Sequence, residues 1–147
     1  MLEVAFFAFQ NRIFAVLDKR VWLLVSYLAC ALRFALVAIF PEVFWIVALS
    51  QCAHALTFAA HHTAAVMWLR ERIPNGLQGR AQAMYATIAY GLGGTSGTFL
   101  GRWAWDIVSP SFAFWIASLA GLIAGVLGYL LLRHGAVKLS TAFAFKR

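Results

Sequence analysis

Four apolar runs dominate this sequence: Val21 to Phe40, Val43 to Leu69, Ala81 to Val108 and Phe112 to Leu132. Each reaches the roughly 20 residues that a helix needs to cross about 30 Å of hydrocarbon. The chain is 63% hydrophobic and only 12% charged. A soluble domain of 147 residues has too much surface for that composition, so the implied solvent is lipid. A fifth stretch, Leu2 to Leu17, is shorter and contains Gln10, Asn11 and Arg12. It lacks the basic leader and small-residue cleavage site of a signal peptide. It is expected to be the inner part of a helix whose beginning is missing. The expected fold is therefore all-α, a polytopic membrane bundle of four complete transmembrane helices plus one N-terminally truncated helix.

The formal net charge of +7 argues for nucleic acid only when the charge forms a face on a soluble fold. Here the charges fall between apolar runs, which excludes that partner. Alternate breaks lie on opposite sides of a membrane. One side holds Arg12, Lys19, Arg20, Arg70, Arg72, Arg80, Arg133, Lys138, Lys146 and Arg147; the other holds Arg102, with Glu42 and Asp106. The positive-inside rule puts the first group in the cytoplasm, so the C-terminus is expected there. Residues 1–133 read as a partial transmembrane domain and 134–147 as a basic cytoplasmic tail. Cys30 and Cys52 sit within apolar runs and are expected to pack as small hydrophobes.

Ionisable groups inside the runs are the pointers to function. A guanidinium does not lose its proton, so Arg33 has to be paired, hydrated or lining a cavity. Counting from the cytoplasmic ends at about 1.5 Å per residue puts Glu3, Arg33 and His54 roughly 18 to 23 Å deep. A carboxylate, a guanidinium and an imidazole at one level form a candidate charge-paired cluster; the plainer alternative is a simple Arg33–Glu3 pair that holds two helices together. On an α-helical wheel His54 and His61 differ by only about 20°, and Gln51, Thr57, Phe58 and His62 lie within about 80° of His54. One stripe of this helix is thus expected to line a cavity, with histidines that can pass protons. Its rival is a packed interface in which each imidazole is hydrogen-bonded to a neighbouring helix. A metal or haem site would need ligands at close range, but His61 and His62 point about 100° apart on a helix. No metal and no cofactor are expected.

Gly93, Gly97 and Gly101 repeat every four residues, and Gly121, Gly125 and Gly128 do something similar. Both stripes predict close helix contact. Between two runs, Pro74, Asn75 and Gly76 break the helix; Arg70, Arg72 and Arg80 around them are expected to fix topology, the alternative being that they dock on acidic groups elsewhere.

Several stretches resemble the major facilitator superfamily, within it the lactose-permease and phenylpropionate-permease-like branch. L-E-V-A-F-F-A-F is similar to the end of helix eight of such a twelve-helix transporter, and A-L-R-F to the arginine position of helix nine. Q-C-A-H-A-L-T-F-A-A-H-H-T-A-A resembles helix ten, and G-L-Q-G-R-A-Q-A-M-Y with Y-G-L-G-G resembles the following loop and helix eleven. The resemblance implies helices eight to twelve of the transporter, a C-terminal half fragment. By this resemblance Glu3 matches a substrate-binding carboxylate of lactose permease, and Arg33 and His54 match its proton-coupling arginine and histidine. The chain departs at Thr57, where lactose permease has a carboxylate.

The function so implied is proton-coupled symport of a small solute (a sugar, nucleoside or aromatic acid) by alternating access, with Glu3, Arg33, Gln51, His54, His61 and His62 as candidate site residues. The implied partners are the bilayer, the solute, protons and a missing N-terminal six-helix half. The implied location is a bacterial inner membrane, and no enzyme activity is expected. Two rival readings stand beside it: a small membrane anchor or haem-binding electron-transfer subunit, and a non-functional truncated remnant.

Overall fold

The computed structural model describes residue 12, residues 14–54 and residues 56–144. Among the described residues every regular element is helical. Helix α1 spans Lys19–Ile39 and is capped by Asp18, whose carboxylate accepts from the Arg20 backbone N–H at 2.7 Å. That cap satisfies one of the donors a helix start leaves orphaned. Phe40 and Pro41 end the helix, because the residue before a proline is driven from helical geometry.

The second apolar run is not one α-helix. It comprises α2, Phe44–Cys52, a π stretch at Leu56–Ala60, and α3, His61–Arg72. The Thr57 hydroxyl donates to the His54 carbonyl at 3.2 Å, competing with the ordinary backbone ladder where the winding changes. The third run is also divided, into α4, Gln78–Ala86, a π stretch at Thr87–Gly93, and α5, Gly94–Ile107. Gly91 and Gly93 fall in that π stretch, where low helix propensity eases a departure from α geometry. Helix α6 runs from Pro110 to Ala144. Ser109 caps it by accepting from the Phe112 N–H at 3.1 Å, and Pro110 occupies the first turn, where a missing N–H costs nothing. The tail expected from residue 134 thus continues this helix in backbone terms.

Among the described residues two unbroken helices are long and apolar enough to cross a membrane: Lys19–Ile39, with mean hydropathy 2.0, and Pro110–Arg133, with 2.1. Only 11% of the apolar window in the second is buried, which is not how the core helix of a soluble protein behaves. Four complete transmembrane helices were expected; π stretches divide the other two apolar runs. The tryptophans fit the same picture. Trp22 and Trp68 lie at the end where α1 starts and α3 finishes; Trp45, Trp103, Trp105 and Trp115 lie near the opposite end. Two such belts match the two interfaces of a bilayer.

Helices α1 and α6 make the tightest contact. A methyl added at Gly121 would stand 3.1 Å from the Ala31 backbone nitrogen, and one at Gly128 would stand 3.1 Å from the Tyr27 ring. The buried Ser118 hydroxyl donates to the Ala31 carbonyl at 2.8 Å, and Phe34 stacks on Phe114 at 6.1 Å. This glycine stripe packs as expected. The other one does not: added methyls at Gly97 and Gly101 would meet nothing within 4 Å. On its other side α1 packs against the π stretch at 56–60 and α3. Lys19 joins Glu71 at 2.8 Å across that interface. Past α3, the Gln78 amide reaches the Arg70 carbonyl at 3.0 Å and Asn75 Oδ1 at 3.0 Å, clamping the link.

Candidate functional site

Arg33 is carried by the middle of α1 and faces the start of the broken helix. Its Nη1 lies 3.2 Å from His54 Nδ1 and 3.4 Å from the Ser50 carbonyl oxygen. Its guanidinium carbon also sits 4.3 Å from the Phe34 ring centre, a cation–π contact that eases the charge in apolar surroundings. Arg33 Nε is buried with no acceptor. An arginine only donates, so His54 Nδ1 must offer its lone pair.

From His54 a ladder of rings runs along the helix. His54 stacks on Phe58 at 5.5 Å with the planes 18° apart, and Phe58 stacks on His62 at 6.5 Å with the planes 11° apart. His62 Nδ1 then meets the Tyr90 hydroxyl at 2.9 Å. Tyr85 completes the group, 5.9 Å from the His62 ring and 6.0 Å from Tyr90.

The structure separates His61 from this ladder. Its Nδ1 lies 3.1 Å from Ser26 Oγ, and its ring meets Tyr27 edge-on at 4.8 Å. Ser26 directs its one hydrogen to the Leu23 carbonyl at 2.8 Å, so its oxygen accepts from His61 Nδ1–H. The cause is the π stretch. A π turn holds about one residue more than an α turn, which sets the following helix back by roughly 100°. His62 thereby returns to the face of His54, and His61 turns to α1. The single α-helical stripe expected to hold all three histidines is corrected in this respect.

The remaining candidates are placed as follows. Gln51 is exposed, and Thr57 is half-buried with its hydroxyl on the His54 carbonyl. Glu3, expected at the level of Arg33 and His54, lies outside the described residues. Among those residues no three of His, Cys, Asp or Glu gather as a metal site. Tyr85, Tyr90 and Ser26 were not anticipated. The two tyrosines are five residues apart, which reads as opposite-leaning on an α wheel and as one face only where the winding is π.

The family model described as "MFS_1 like family" matches residues 1–116. No curated protein and no solved structure matches the chain. The family match supports a transporter type of function rather than an enzyme, and an integral membrane protein, which agrees with the apolar helices and tryptophan belts. It reaches the level of the superfamily and does not single out the lactose-permease branch. With its match covering most of the sequence, the chain belongs to the MFS_1 like family, proteins like those of the major facilitator superfamily.

Proposed function

We propose that this chain is the C-terminal part of a secondary transporter that carries a small solute together with a proton by alternating access. The supporting observation is the 3.2 Å contact between Arg33 Nη1 and His54 Nδ1. Adding a proton to His54 Nδ1 sets two cations against each other in hydrocarbon, where isolated charge is expensive. Proton uptake therefore requires that the guanidinium swing away or that an anion arrive. Either event ties proton occupancy to a rearrangement of α1 against α2, which is the linkage a symporter needs.

In this reading each interrupted helix, 44–72 and 78–107, crosses the bilayer as a unit. That makes four complete spans, with residues 2–17 part of a further one. Discontinuous helices near the midplane are where transporters place solute and ion sites, and both π stretches lie between the two tryptophan belts. Arg33, His54 and His62 form the proton-handling face, and Gln51 and Glu3 hydrogen-bond solute. His61, held on α1 by Ser26, serves packing in the arrangement described. The facing wall of the cavity comes from an N-terminal six-helix half, the tail from residue 134 is cytoplasmic, and the membrane is a bacterial inner membrane.

The test is flux in proteoliposomes loaded with a pH-sensitive dye, given sugars, nucleosides and aromatic acids in turn. The chain joined to an N-terminal half acidifies the lumen with one solute class, and His54→Gln abolishes the signal. The 147-residue chain alone gives none. Solute uptake that ignores an imposed proton gradient would sink the proposal.

A further inference from the structure

A groove of about 290 Å³ runs along the outside of the α1–α6 pair, lined by Leu24 and Leu28 of α1 and by Leu122, Val126 and Tyr129 of α6. Leu28, Leu122, Val126 and Tyr129 are all exposed, and the Tyr129 hydroxyl is the one polar group among these side chains. In a chain that crosses a bilayer such a groove lies against acyl chains. What sets it apart from any other lipid-facing surface is the charge at one end.

The two helices are antiparallel, and their packing fixes the register. A methyl added at Gly121 would stand against the Ala31 backbone, one at Gly125 would stand 3.4 Å from Tyr27 Cβ, and one at Gly128 would stand 3.8 Å from Leu24 Cδ2. Each turn forward on α6 is thus matched by a turn back on α1, and both helices are unbroken through these positions. One further turn brings Leu132 level with Arg20, with Arg133 beside it. Arg20 continues the groove face of α1, one turn before Leu24. Arg133 continues that of α6, two turns after Val126 and about 20° from it around the helix. From Gly121 to Tyr129 the groove is about 12 Å long, most of the roughly 15 Å of hydrocarbon in one leaflet, and Arg133 lies about 6 Å further on. The two arginines therefore stand at headgroup depth when the groove lies in the acyl layer. Tyr129 falls at the boundary, where an amphipathic ring is at home.

Two guanidiniums side by side repel unless an anion stands with them, and the sequence has too few carboxylates to go round. The chain carries 12 Lys and Arg against 5 Asp and Glu, a net charge of +7, so an excess of cations remains however the side chains are arranged. Glu42 and Asp106 stand at the opposite helix ends. Asp18 accepts from the Arg20 backbone N–H at 2.7 Å and faces Lys19 at 3.8 Å, while Glu71 holds Lys19 at 2.8 Å on the α3 side of α1. We infer that the α1–α6 groove binds an acidic phospholipid, with one acyl chain along Leu24, Leu28, Leu122 and Val126 and the phosphate between Arg20 and Arg133. Arginine forks meet phosphate oxygens two at a time. A headgroup that also carries an ammonium would bring a further cation to the pair, so the ligand is a lipid of net negative charge, such as phosphatidylglycerol. The groove lies away from Arg33, His54 and the aromatic ladder, and the inference does not rest on the transport reading.

Native mass spectrometry of the purified 147-residue chain, offered equal amounts of dioleoyl phosphatidylglycerol and dioleoyl phosphatidylcholine, tests this. The first lipid retained is expected to be phosphatidylglycerol, favoured about twentyfold, at about fivefold for each arginine near the membrane surface. Glycerol 3-phosphate, which has the charge without the chains, is expected not to compete. Arg20→Gln combined with Arg133→Gln is expected to erase the preference. Arg70→Gln combined with Arg80→Gln removes the same charge from the same helix ends but away from the groove, and is expected to leave the preference within threefold of the parent. Val126→Trp fills the groove at an exposed position, keeps both arginines, and is expected to lower phosphatidylglycerol retention at least tenfold. Equal retention of the two lipids overturns the inference. Equal losses from the two arginine pairs also overturn it, because the basic helix ends would then attract acidic lipid without a site. Glycerol 3-phosphate competing as well as the lipid would mean an anion site with no chain seat, and does the same. So does phosphatidylglycerol binding unchanged by Val126→Trp, even if the Arg20→Gln, Arg133→Gln variant does not fold.

Discussion

Nδ1 of His62 stands 2.9 Å from the Tyr90 hydroxyl, joining the first turn of α3 to the inside of the second π stretch. Hydrogen bonds of this kind between membrane helices average about 0.6 kcal/mol. Tyr90→Phe is expected to lower thermal stability by about 0.5 kcal/mol. It should also change the His62 tautomer population in nitrogen NMR while leaving His61 unchanged. A simultaneous shift at His61 would mean that the ladder and the Ser26 contact are not separate.

Arg33→Lys retains the charge but replaces a rigid fork by a single flexible ammonium. Both contacts run through Nη1 alone, and the shorter lysine side chain does not place its nitrogen there. A charge-assisted hydrogen bond is worth about 1.5–3 kcal/mol; spent on coupling, its loss slows proton-linked uptake about ten- to a hundredfold. Rates measured in the reconstituted full transporter check this. Uptake within twofold of the parent would show that charge alone suffices.

The two glycine stripes are expected to respond in opposite ways. In Gly121→Ala the new methyl meets the Ala31 backbone nitrogen at 3.1 Å and its Cα at 3.3 Å. Backbone cannot turn aside, so α6 and α1 must separate, at about 1–3 kcal/mol. Gly97→Ala meets nothing within 4 Å and improves helix propensity by up to about 1 kcal/mol. Thermal unfolding of both variants in the same lipid gives the comparison, and a destabilised Gly97→Ala would show that something covers that stripe.

Ser118→Ala removes the buried hydrogen bond to the Ala31 carbonyl at 2.8 Å. Bonds of this kind between membrane helices average about 0.6 kcal/mol. The variant should unfold slightly earlier and remain folded, whereas Ser118→Leu, which adds bulk at the same point, should separate the helices as Gly121→Ala does.

Lys19 and Glu71 pair at 2.8 Å with the carboxylate side chain 56% exposed. Water screens such a pair to about 0.2–1 kcal/mol. Lys19→Glu should destabilise in low salt, and adding Glu71→Lys should recover most of the loss. Equal effects at low and high salt would assign the contribution to packing instead.

The sequence speaks clearly about some of this and not about the rest. Run length identified the membrane-crossing character of α1 and α6, and the proline, aspartate and serine signals mark their ends. Depth counting also put Arg33 level with His54, because the short π stretch at Leu56–Ala60 changes the rise far less than it changes the facing of the side chains. The wheel failed at Leu56–Ala60. Hydrophobic periodicity assumes one winding throughout, and an extra residue in a turn leaves composition untouched while moving every later side chain. His61 was consequently assigned to the wrong face, and Tyr85 and Tyr90 were overlooked. The Gly93, Gly97 and Gly101 spacing signals a capacity for close approach, but cannot say whether a neighbour uses it.

The tandem histidines acquire a meaning from that extra residue. If the stretch at 56–60 rewound from π to α, everything after it would advance by roughly 100°. His62 would leave the face of His54, and His61 would take a place about 20° from it. The rotation would exchange one imidazole for the next, breaking the links to Tyr90 and Ser26 at once. Whichever winding the helix adopts, a second titratable ring is presented beside His54, so a change of helical pitch would alter its partners and leave its chemistry in place.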